Sequence, residues 1–426
     1  MRNEFPQPFG PYELLRRLGA GGMAEVFLAQ AASTRGEKRL VALKRMHMQL
    51  SEDPSAVEML VQEAKLAMRF DHPNIARTFE LGCHLDVYYF IMEYVDGIDL
   101  GTVARLCEDE GSQLDPIVSA YIVSRMARGL AHAHELCDEN GQLLGIVHRD
   151  VSPQNVLISR HGEVKLIDFG VAKVASRIQQ TMAGIIKGKY AYMSPEQASA
   201  ETVDARSDVF SMGICLYELL SGKPLFRSAG NASPFAILRA VRDDPIAPLA
   251  SLVPGLPPEL ARIAHTALAR SRDDRFQSAR LLADELDAWL AQNARDFGDQ
   301  RLAMYVQRRV EAAPAGALPQ NAIATPPIAK MGLEEFEPSA LSVVVASPLL
   351  RAAPQLPVPA APLPRPVIRP TALLDALPLE PPPSAPITGL WPSRRSAMQF
   401  LWVGIVALIF ALGWSTIATL VRMGRL

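Results

Sequence analysis

The chain has 426 residues, with 43 lysines and arginines against 45 aspartates and glutamates, so its formal net charge is -2 at pH 7. That length allows two or three structural units, and the balanced charge gives no field to draw the chain onto nucleic acid, so we expect no nucleic-acid partner. The four cysteines are far apart and lack C-x-x-C spacing, which favours reduced thiols over a disulfide framework or a zinc site. No apolar stretch follows Arg2, and we therefore expect no signal peptide.

The first predicted elements are a strand, a glycine-rich turn and a second strand between residues 12 and 30. Rossmann folds also use such a turn, but there it opens a helix and an acidic residue follows about 20 positions later. Here the residues after the turn continue as a strand, and a further strand ends at Lys44. Glycine lets backbone amides approach a phosphate closely, which makes the turn a candidate phosphate-binding element. Its candidate residues are Gly19, Ala20, Gly21, Gly22 and Val26.

A predicted helix and a predicted strand follow. The helix contains Glu63, and residues 89–97 form an apolar strand that runs into a short connection. A single lysine or glutamate on a surface is normally solvated. Lys44 and Glu63 become candidates because they lie between the glycine-rich turn and the run His72-Pro73-Asn74-Ile75.

The run from His148 to Asn155, followed thirteen residues later by Asp168-Phe169-Gly170, is the most informative motif. It puts a base, an amide and a carboxylate on two nearby loops. Phosphoryl transfer needs these groups, because the protein must hold two anions together and neutralise their charge. Asp150 is the candidate base, and Asn155 and Asp168 are candidate ligands of a hard cation such as Mg²⁺.

With these motifs in this order, residues 12–291 resemble the eukaryotic-like (Hanks-type) protein kinases, most closely the bacterial serine/threonine type. The resemblance implies an α+β, bilobal fold with a β-rich N-lobe over 12–95 and an α-helical C-lobe over 96–291, followed by a helical extension over 292–310. It implies transfer of the ATP γ-phosphoryl group to Ser or Thr hydroxyls of protein substrates, with ATP and Mg²⁺ as cofactors. Trans-autophosphorylation would use a dimer.

The resemblance also assigns roles to individual residues. Lys44 is expected to bind the α and β phosphates, with Glu63 fixing it. Asp150 is expected to orient the substrate hydroxyl, and Asn155 with Asp168 to bind magnesium. The adenosine is expected on Val26, Ala42, the backbone of Glu93 and Val95, Asp99 and Leu157.

Regulation is implied by Arg149, which precedes the candidate base. In the kinase family such an arginine accompanies a phosphate on the segment after Asp168, because arginine binds phosphate bidentately. Ser176 and Thr181 are the only serine or threonine between positions 171 and 193. Thr181 lies where related bacterial kinases carry the activating phosphate.

Three further expectations are structural. The resemblance implies that Glu196 pairs with Arg275 and that Asp208 braces the backbone of the catalytic loop. We expect His148 and Phe169 to pack rather than react. His132 and His134 are two positions apart on a predicted helix over residues 120–136, so they face different ways, which argues against a shared metal ion.

Two positions depart from the family pattern. Serine/threonine kinases usually have a lysine two residues after the base, where this chain has Ser152, and a threonine where it has Lys189. We expect an exchange in which the Lys189 ammonium serves the γ-phosphate and Ser152 supplies the hydroxyl; the alternative is that Lys189 points to solvent. A pseudokinase that binds nucleotide without transfer stays open, and a small-molecule kinase is disfavoured by the full activation segment.

Residues 311–396 contain 19 prolines. Proline lacks a backbone donor and is excluded from helix interiors, so we expect an extended, mostly disordered linker. Polyproline segments can also dock onto SH3-like grooves, and Leu341 to Val345 are an alternative docking strand; a spacer is the favoured interpretation.

Residues 397–421 contain no charged residue. A stretch of that length can span a bilayer core of ~30 Å as a helix, and the alternative is a buried globular helix. We expect one transmembrane helix, a short tail over 422–426, and a kinase domain held at the inner membrane in the ATP-containing cytoplasm.

Overall fold

The computed structural model describes residues 5–21, 24–32, 38–52, 54–169, 189–226 and 233–314, which belong to one structural unit. The predicted bilobal α+β architecture is confirmed: a curled antiparallel sheet forms the small lobe, and helices form most of the large lobe. The small lobe contains β1 (Gln7–Phe9), β2 (Tyr12–Ala20), β3 (Ala24–Ala32), β4 (Lys38–Met46), α1 (Met48–Ser51), α2 (Pro54–Ala67), β5 (Thr78–His84) and β6 (Val87–Glu93).

The small-lobe sheet has the strand order β1-β2-β3-β4-β6-β5, with antiparallel neighbours. Alternating side chains of its central strands point to one side, where Leu14, Phe27 and Leu43 are buried. The glycine-rich turn closes the hairpin of β2 and β3, and the Gly21 N–H donates to the Ala24 carbonyl at 2.8 Å. The glycine-rich turn therefore joins two antiparallel strands, as the sequence predicts, while Gly22 and Met23 lie outside the described residues.

Helix α2 packs across the other side of this sheet. Val57, Leu60 and Ala64 recur at spacings of three and four residues, so they form one apolar face. That face contacts Leu81 and Phe90 of β5 and β6. The same packing fixes where Glu63, the neighbour of Ala64, stands above the sheet.

The large lobe is built around two long apolar helices, α4 (Pro116–His134) and α6 (Ala205–Ser221). A small sheet accompanies them, in the strand order β7 (Gly97–Asp99), β8 (Val156–Ser159), β9 (Val164–Leu166). Helix α4 was predicted over residues 120–136 and spans Pro116–His134. Its bounds follow from Asp115, whose side chain caps the first turn. The elements are β7 (Gly97–Asp99), α3 (Leu100–Asp109), α4 (Pro116–His134), β8 (Val156–Ser159), β9 (Val164–Leu166), α5 (Pro195–Ala198), α6 (Ala205–Ser221), α7 (Pro234–Asp243), α8 (Leu249–Leu252), α9 (Pro258–Ala267), α10 (Ala279–Asn293) and α11 (Asp299–Ala312).

Helix α11 begins at Asp299 inside the predicted helical extension over 292–310, ends two residues beyond it at Ala312, and packs against the large lobe. Its Leu302 and Val306 are buried. The β8–β9 turn approaches the start of α11 so closely that a Cβ at Gly162 would lie 1.8 Å from the Asp299 carbonyl oxygen. Glycine is therefore required at position 162, where φ is also +87°.

Most of the predicted linker, the predicted membrane span over 397–421 and the tail over 422–426 lie outside the described residues. Among the described helices, none combines the length and apolar character needed to cross a bilayer.

The large lobe contains a buried ion pair between Glu196 of α5 and Arg275. Arg275 donates to both Glu196 oxygens at 2.8 and 2.9 Å, and Ser207 donates to Glu196 at 2.5 Å. Burial alone would raise the pKa of Glu196, but the Arg275 and Ser207 bonds outweigh it and lower that pKa to about 2. The predicted pairing of Glu196 with Arg275 is confirmed.

Removing this carboxylate tests its contribution to stability. We expect Glu196→Gln to lower the free energy of unfolding at pH 7 by about 3–5 kcal/mol, because Arg275 is left buried without its anion. Urea unfolding measures this, and Glu259→Gln, which breaks an exposed pair with Arg262, is the control with a loss below about 1 kcal/mol.

The same pair sets a dependence on pH. The folded-state pKa of Glu196 is about 2 against an ordinary value of 4.5, so its stabilisation is present above pH 4.5 and is lost as the pH falls towards 2. The stability difference between wild type and Glu196→Gln should shrink over that window. An unchanged difference at pH 3 would contradict the assignment.

Candidate active site

The loop that contains the candidate base is held by one buried carboxylate. Asp208, in the first turn of α6, accepts from the backbone N–H groups of His148 and Arg149 at 2.8 and 2.9 Å, and its Oδ2 lies 2.7 Å from His134 Nε2. Burial raises the pKa of Asp208, but His134 and His148 lower it more, so the carboxylate stays ionised. The predicted bracing role of Asp208 is confirmed, and these bonds hold Arg149 at φ +63°.

The two histidines of α4 contact different partners. His134 faces Asp208, whereas His132 stacks on His72 with ring centroids 5.2 Å apart. These different directions agree with the expectation from the two-residue spacing of His132 and His134 on a helix. The sequence does not reveal that His134 contacts Asp208, because no motif links these two residues, which lie far apart in the chain.

Asp150 and Asn155 form one unit within the catalytic loop. The Asn155 side-chain nitrogen donates to the Asp150 carbonyl at 2.7 Å and to Asp150 Oδ2 at 3.0 Å. Its amide oxygen is then the atom suited to a cation. The Ile167 N–H donates to the Asn155 carbonyl at 3.0 Å, which brings Asp168 beside this loop.

Lys44 reaches the same place from the small lobe. Its Nζ lies 2.6 Å from Asp168 Oδ1. Burial lowers the pKa of Lys44, but Asp168, followed by Glu63 and Asp150, raises it more, and the net direction is upward. Lys44 is therefore held as a cation by three carboxylates. The backbone of Asp168 adopts a left-handed φ of +55°.

Phe169 and His148 pack, as expected. The Phe169 ring lies 4.5 Å from both the His148 ring and the Phe70 ring, measured between centroids. Phe70 follows α2, so this column of rings joins the catalytic loop to the end of the helix that contains Glu63.

The residues expected to bind adenosine come from both lobes. In the sheet, Val26 pairs with Lys44 and Ala42 pairs with Met92, next to Glu93 at the end of β6. Val95 follows, and Leu157 comes from β8 in the large lobe. Gly19 and Ala20 end β2, and Gly22 lies outside the described residues.

Asp99 has a structural task in addition to the expected ribose contact. One carboxylate oxygen accepts from the Thr102 N–H at 2.9 Å and the other from the Thr102 hydroxyl at 2.7 Å. Asp99 thereby caps α3. Its ribose role stays a prediction.

Several expected residues fall partly or wholly outside the described chain. Ser176, Thr181 and the side chain of Lys189 lie there, although Lys189 begins a described 3₁₀ turn that ends at Tyr192. Ser152 is 1% exposed, and its hydroxyl has no hydrogen-bond partner within the described ranges. The Gln197 side chain donates to the Arg149 carbonyl at 3.0 Å and ties α5 to the catalytic loop, a contact the sequence did not reveal.

This donor set fits Mg²⁺. An amide oxygen and a carboxylate are hard ligands, and magnesium retains waters, so two side chains plus nucleotide phosphates suffice. Lys44 adds the cation that a nucleotide polyphosphate needs.

Comparison with known proteins gives the same picture. The profile of the protein kinase domain matches residues 12–309. The tyrosine-protein kinase MasK of Myxococcus xanthus is 40% identical over 301 residues, covering 71% of this chain and 46% of MasK. The serine/threonine-protein kinase PknB of Mycobacterium tuberculosis is 36% identical over 276 residues, covering 63% of this chain and 41% of PknB.

A solved structure agrees in fold. The kinase domain of Mycobacterium tuberculosis PknI aligns with a TM-score of 0.50 at 26% identity, covering 66% of this chain and 97% of the PknI chain. The chain spans less than half the length of the two curated relatives.

Proposed function

The chain belongs to the protein kinase family, and we propose that it transfers the γ-phosphoryl group of ATP to Ser or Thr hydroxyls of protein substrates. One observation carries this: Lys44 Nζ lies 2.6 Å from Asp168, while Asn155 bonds to Asp150 on the adjoining loop. A nucleotide cation site and a proton acceptor are thereby adjacent, which is what phosphoryl transfer needs.

In the proposed reaction each residue acts on charge or position. Asp150 accepts or orients the proton of the acceptor hydroxyl. Lys44, kept cationic by the carboxylates around it, binds the α and β phosphates. Asn155 and Asp168 hold Mg²⁺, which when bound neutralises charge on the phosphate oxygens. Glu63 keeps Lys44 in place.

The acceptor type rests on the relatives. MasK is named a tyrosine-protein kinase, whereas PknB is named a serine/threonine-protein kinase. A Streptomyces coelicolor relative, 36% identical over 287 residues, is named a probable serine/threonine-protein kinase. We favour Ser and Thr. A pseudokinase is the rival, and the presence of the full set Lys44, Glu63, Asp150, Asn155 and Asp168 argues against it.

Regulation by autophosphorylation is part of the proposal. The Arg149 side chain makes no ion pair within the described ranges, so a phosphate on Thr181, or alternatively on Ser176, would supply the anion it lacks. Trans-autophosphorylation in a dimer would deliver it.

We also propose that the chain is anchored in the inner membrane by residues 397–421, with the kinase domain in the cytoplasm. The support is the charge-free length of that stretch, preceded by the proline-rich linker over 311–396. The anchor would concentrate the enzyme beside its substrates.

The exchange between Ser152 and Lys189 completes the proposed site. Ser152 is buried and its hydroxyl lacks a partner within the described ranges. Tyr192, three residues after Lys189, is fixed because Ser211 donates to its carbonyl at 2.7 Å. A lysine ammonium on its flexible stem can supply, from this turn, the charge absent from position 152.

The chemistry is tested with Asp150→Asn and Asp168→Asn in the full-length protein. We expect Asp150→Asn to reduce phosphoryl transfer by about 100-fold or more while nucleotide affinity stays near wild type, because Asp150 contacts the acceptor rather than ATP. Asp168→Asn should also lose the Mg²⁺-dependent part of nucleotide binding.

Incubation with labelled ATP and Mg²⁺, followed by phosphoamino-acid analysis and phosphosite mapping, measures transfer. Phosphotyrosine as the main product would overturn the Ser/Thr assignment, and a wild type without transfer would favour the pseudokinase. Phosphate on Thr181 would support the regulatory part.

For the exchange, Lys189→Ala should lower kcat by about 100-fold. The double variant Ser152→Lys with Lys189→Thr should recover most of that loss, because the cation returns to the family's usual position. Single Ser152→Lys is the matched control. Wild-type kcat in Lys189→Ala would mean that Lys189 faces solvent.

The anchor is tested by deleting residues 397–426. The shortened protein should move from the membrane to the soluble fraction and keep its turnover at high concentration, because no catalytic group lies in the deleted stretch. Deletion of residues 422–426 alone is the control. A shortened protein that still sediments with membranes would refute the span.

A further inference from the structure

Lys165 on β9 was not among the residues that the sequence singles out, and it lies in an unusual setting. It is 8% exposed, and its Nζ is 2.7 Å from Glu93 Oε1. A buried ammonium is costly to desolvate unless it is paired.

The partner of Lys165 is the residue whose backbone is expected to meet the adenine. The second oxygen of Glu93 accepts from the Arg77 N–H at 3.1 Å, and the Glu93 N–H donates to the Arg77 carbonyl at 2.8 Å. With its side chain held from two directions and its N–H engaged, the main chain at Glu93 cannot rotate without breaking these bonds.

The ion pair also joins the two lobes. Glu93 ends β6 of the small-lobe sheet, whereas Lys165 belongs to the large-lobe sheet. The connection between α2 and β5 also bonds to β9. The Ala76 N–H donates to the Leu166 carbonyl, and the Leu166 N–H donates to the Asn74 carbonyl, both at 2.9 Å. The Glu93 backbone is therefore fixed relative to β9 rather than only to its own sheet.

We propose that Lys165 is a positioning residue for nucleotide binding: through its ion pair with Glu93 it fixes the backbone that receives the adenine. The inference rests on the proposed nucleotide site. Lys165 also precedes Asp168 by three residues, so the rival explanation is that it acts through the metal-binding carboxylate. The two explanations predict different effects on adenosine binding, because adenosine has no phosphate and its binding needs no metal.

Binding of adenosine and of MgATP to full-length protein separates these explanations. We expect Lys165→Met to weaken both by the same factor, about tenfold, and to raise KM for ATP by that factor with kcat nearly unchanged. Lys165→Arg, which keeps a cation opposite Glu93 and leaves the bond from the Arg77 N–H intact, should retain most of the affinity. Arg128→Met, which removes a half-buried ion pair between Arg128 of α4 and Asp287 of α10, is the control and should leave both affinities unchanged.

An unchanged adenosine affinity in Lys165→Met, or a Lys165→Arg variant that binds no better than Lys165→Met, would overturn the inference. If Lys165→Met does not fold, Glu93→Gln, whose side chain is 25% exposed, gives the same comparison. A wild type that binds nucleotide but transfers no phosphate would overturn the proposed function while the affinities still decide the role of Lys165. A wild type that binds neither ligand overturns both.

Discussion

The site depends on the buried Asp208 carboxylate. It accepts two backbone N–H groups from the loop that contains Asp150, and His134 supports it from α4. Those N–H groups point inward at a place where Arg149 has a left-handed φ of +63°. Such a backbone is strained and persists only where the surroundings determine it. Without this ionised acceptor, the backbone N–H groups of His148 and Arg149 would lose their partner, and the loop that contains Asp150 would lose its support.

The second constraint is the attachment of small-lobe elements to the large lobe. The Phe70, Phe169 and His148 rings form a column from the end of α2 to the catalytic loop. The connection before β5 bonds to β9 through Asn74 and Ala76. Lys44 and Asp168 therefore meet because packed elements bring them together, and their ion pair is a consequence of that packing.

The segment that precedes α5 is fixed at its far end. Glu196 and Arg275 pair in the interior, and the Ser194 side chain caps α5 together with Gln197 in a capping box. Gln197 then bonds to the Arg149 carbonyl. One short helix thereby connects the buried ion pair to the backbone beside the candidate base.

The sequence by itself predicted the protein kinase family and the two-lobed fold, and it singled out Lys44, Asp150, Asn155 and Asp168, which the structure brings close together. It could do so because phosphate and metal chemistry restricts the residue types and their spacing along short loops. It also foresaw the Glu196–Arg275 pair by resemblance.

Only the tertiary structure decided which distant groups meet. His134 could be recognised as facing away from His132, but periodicity gives a face and not a partner, so its contact with Asp208 was invisible. The pairing of Lys165 with Glu93 was equally hidden, because an ordinary strand lysine becomes a buried ion only when two sheets approach. Asp99 was read as a ribose ligand, and the structure added its capping of α3 through Thr102. Residues that are neighbours in the sequence indicate the local chemistry, whereas burial and pairing arise from the packing of elements that lie far apart in the chain.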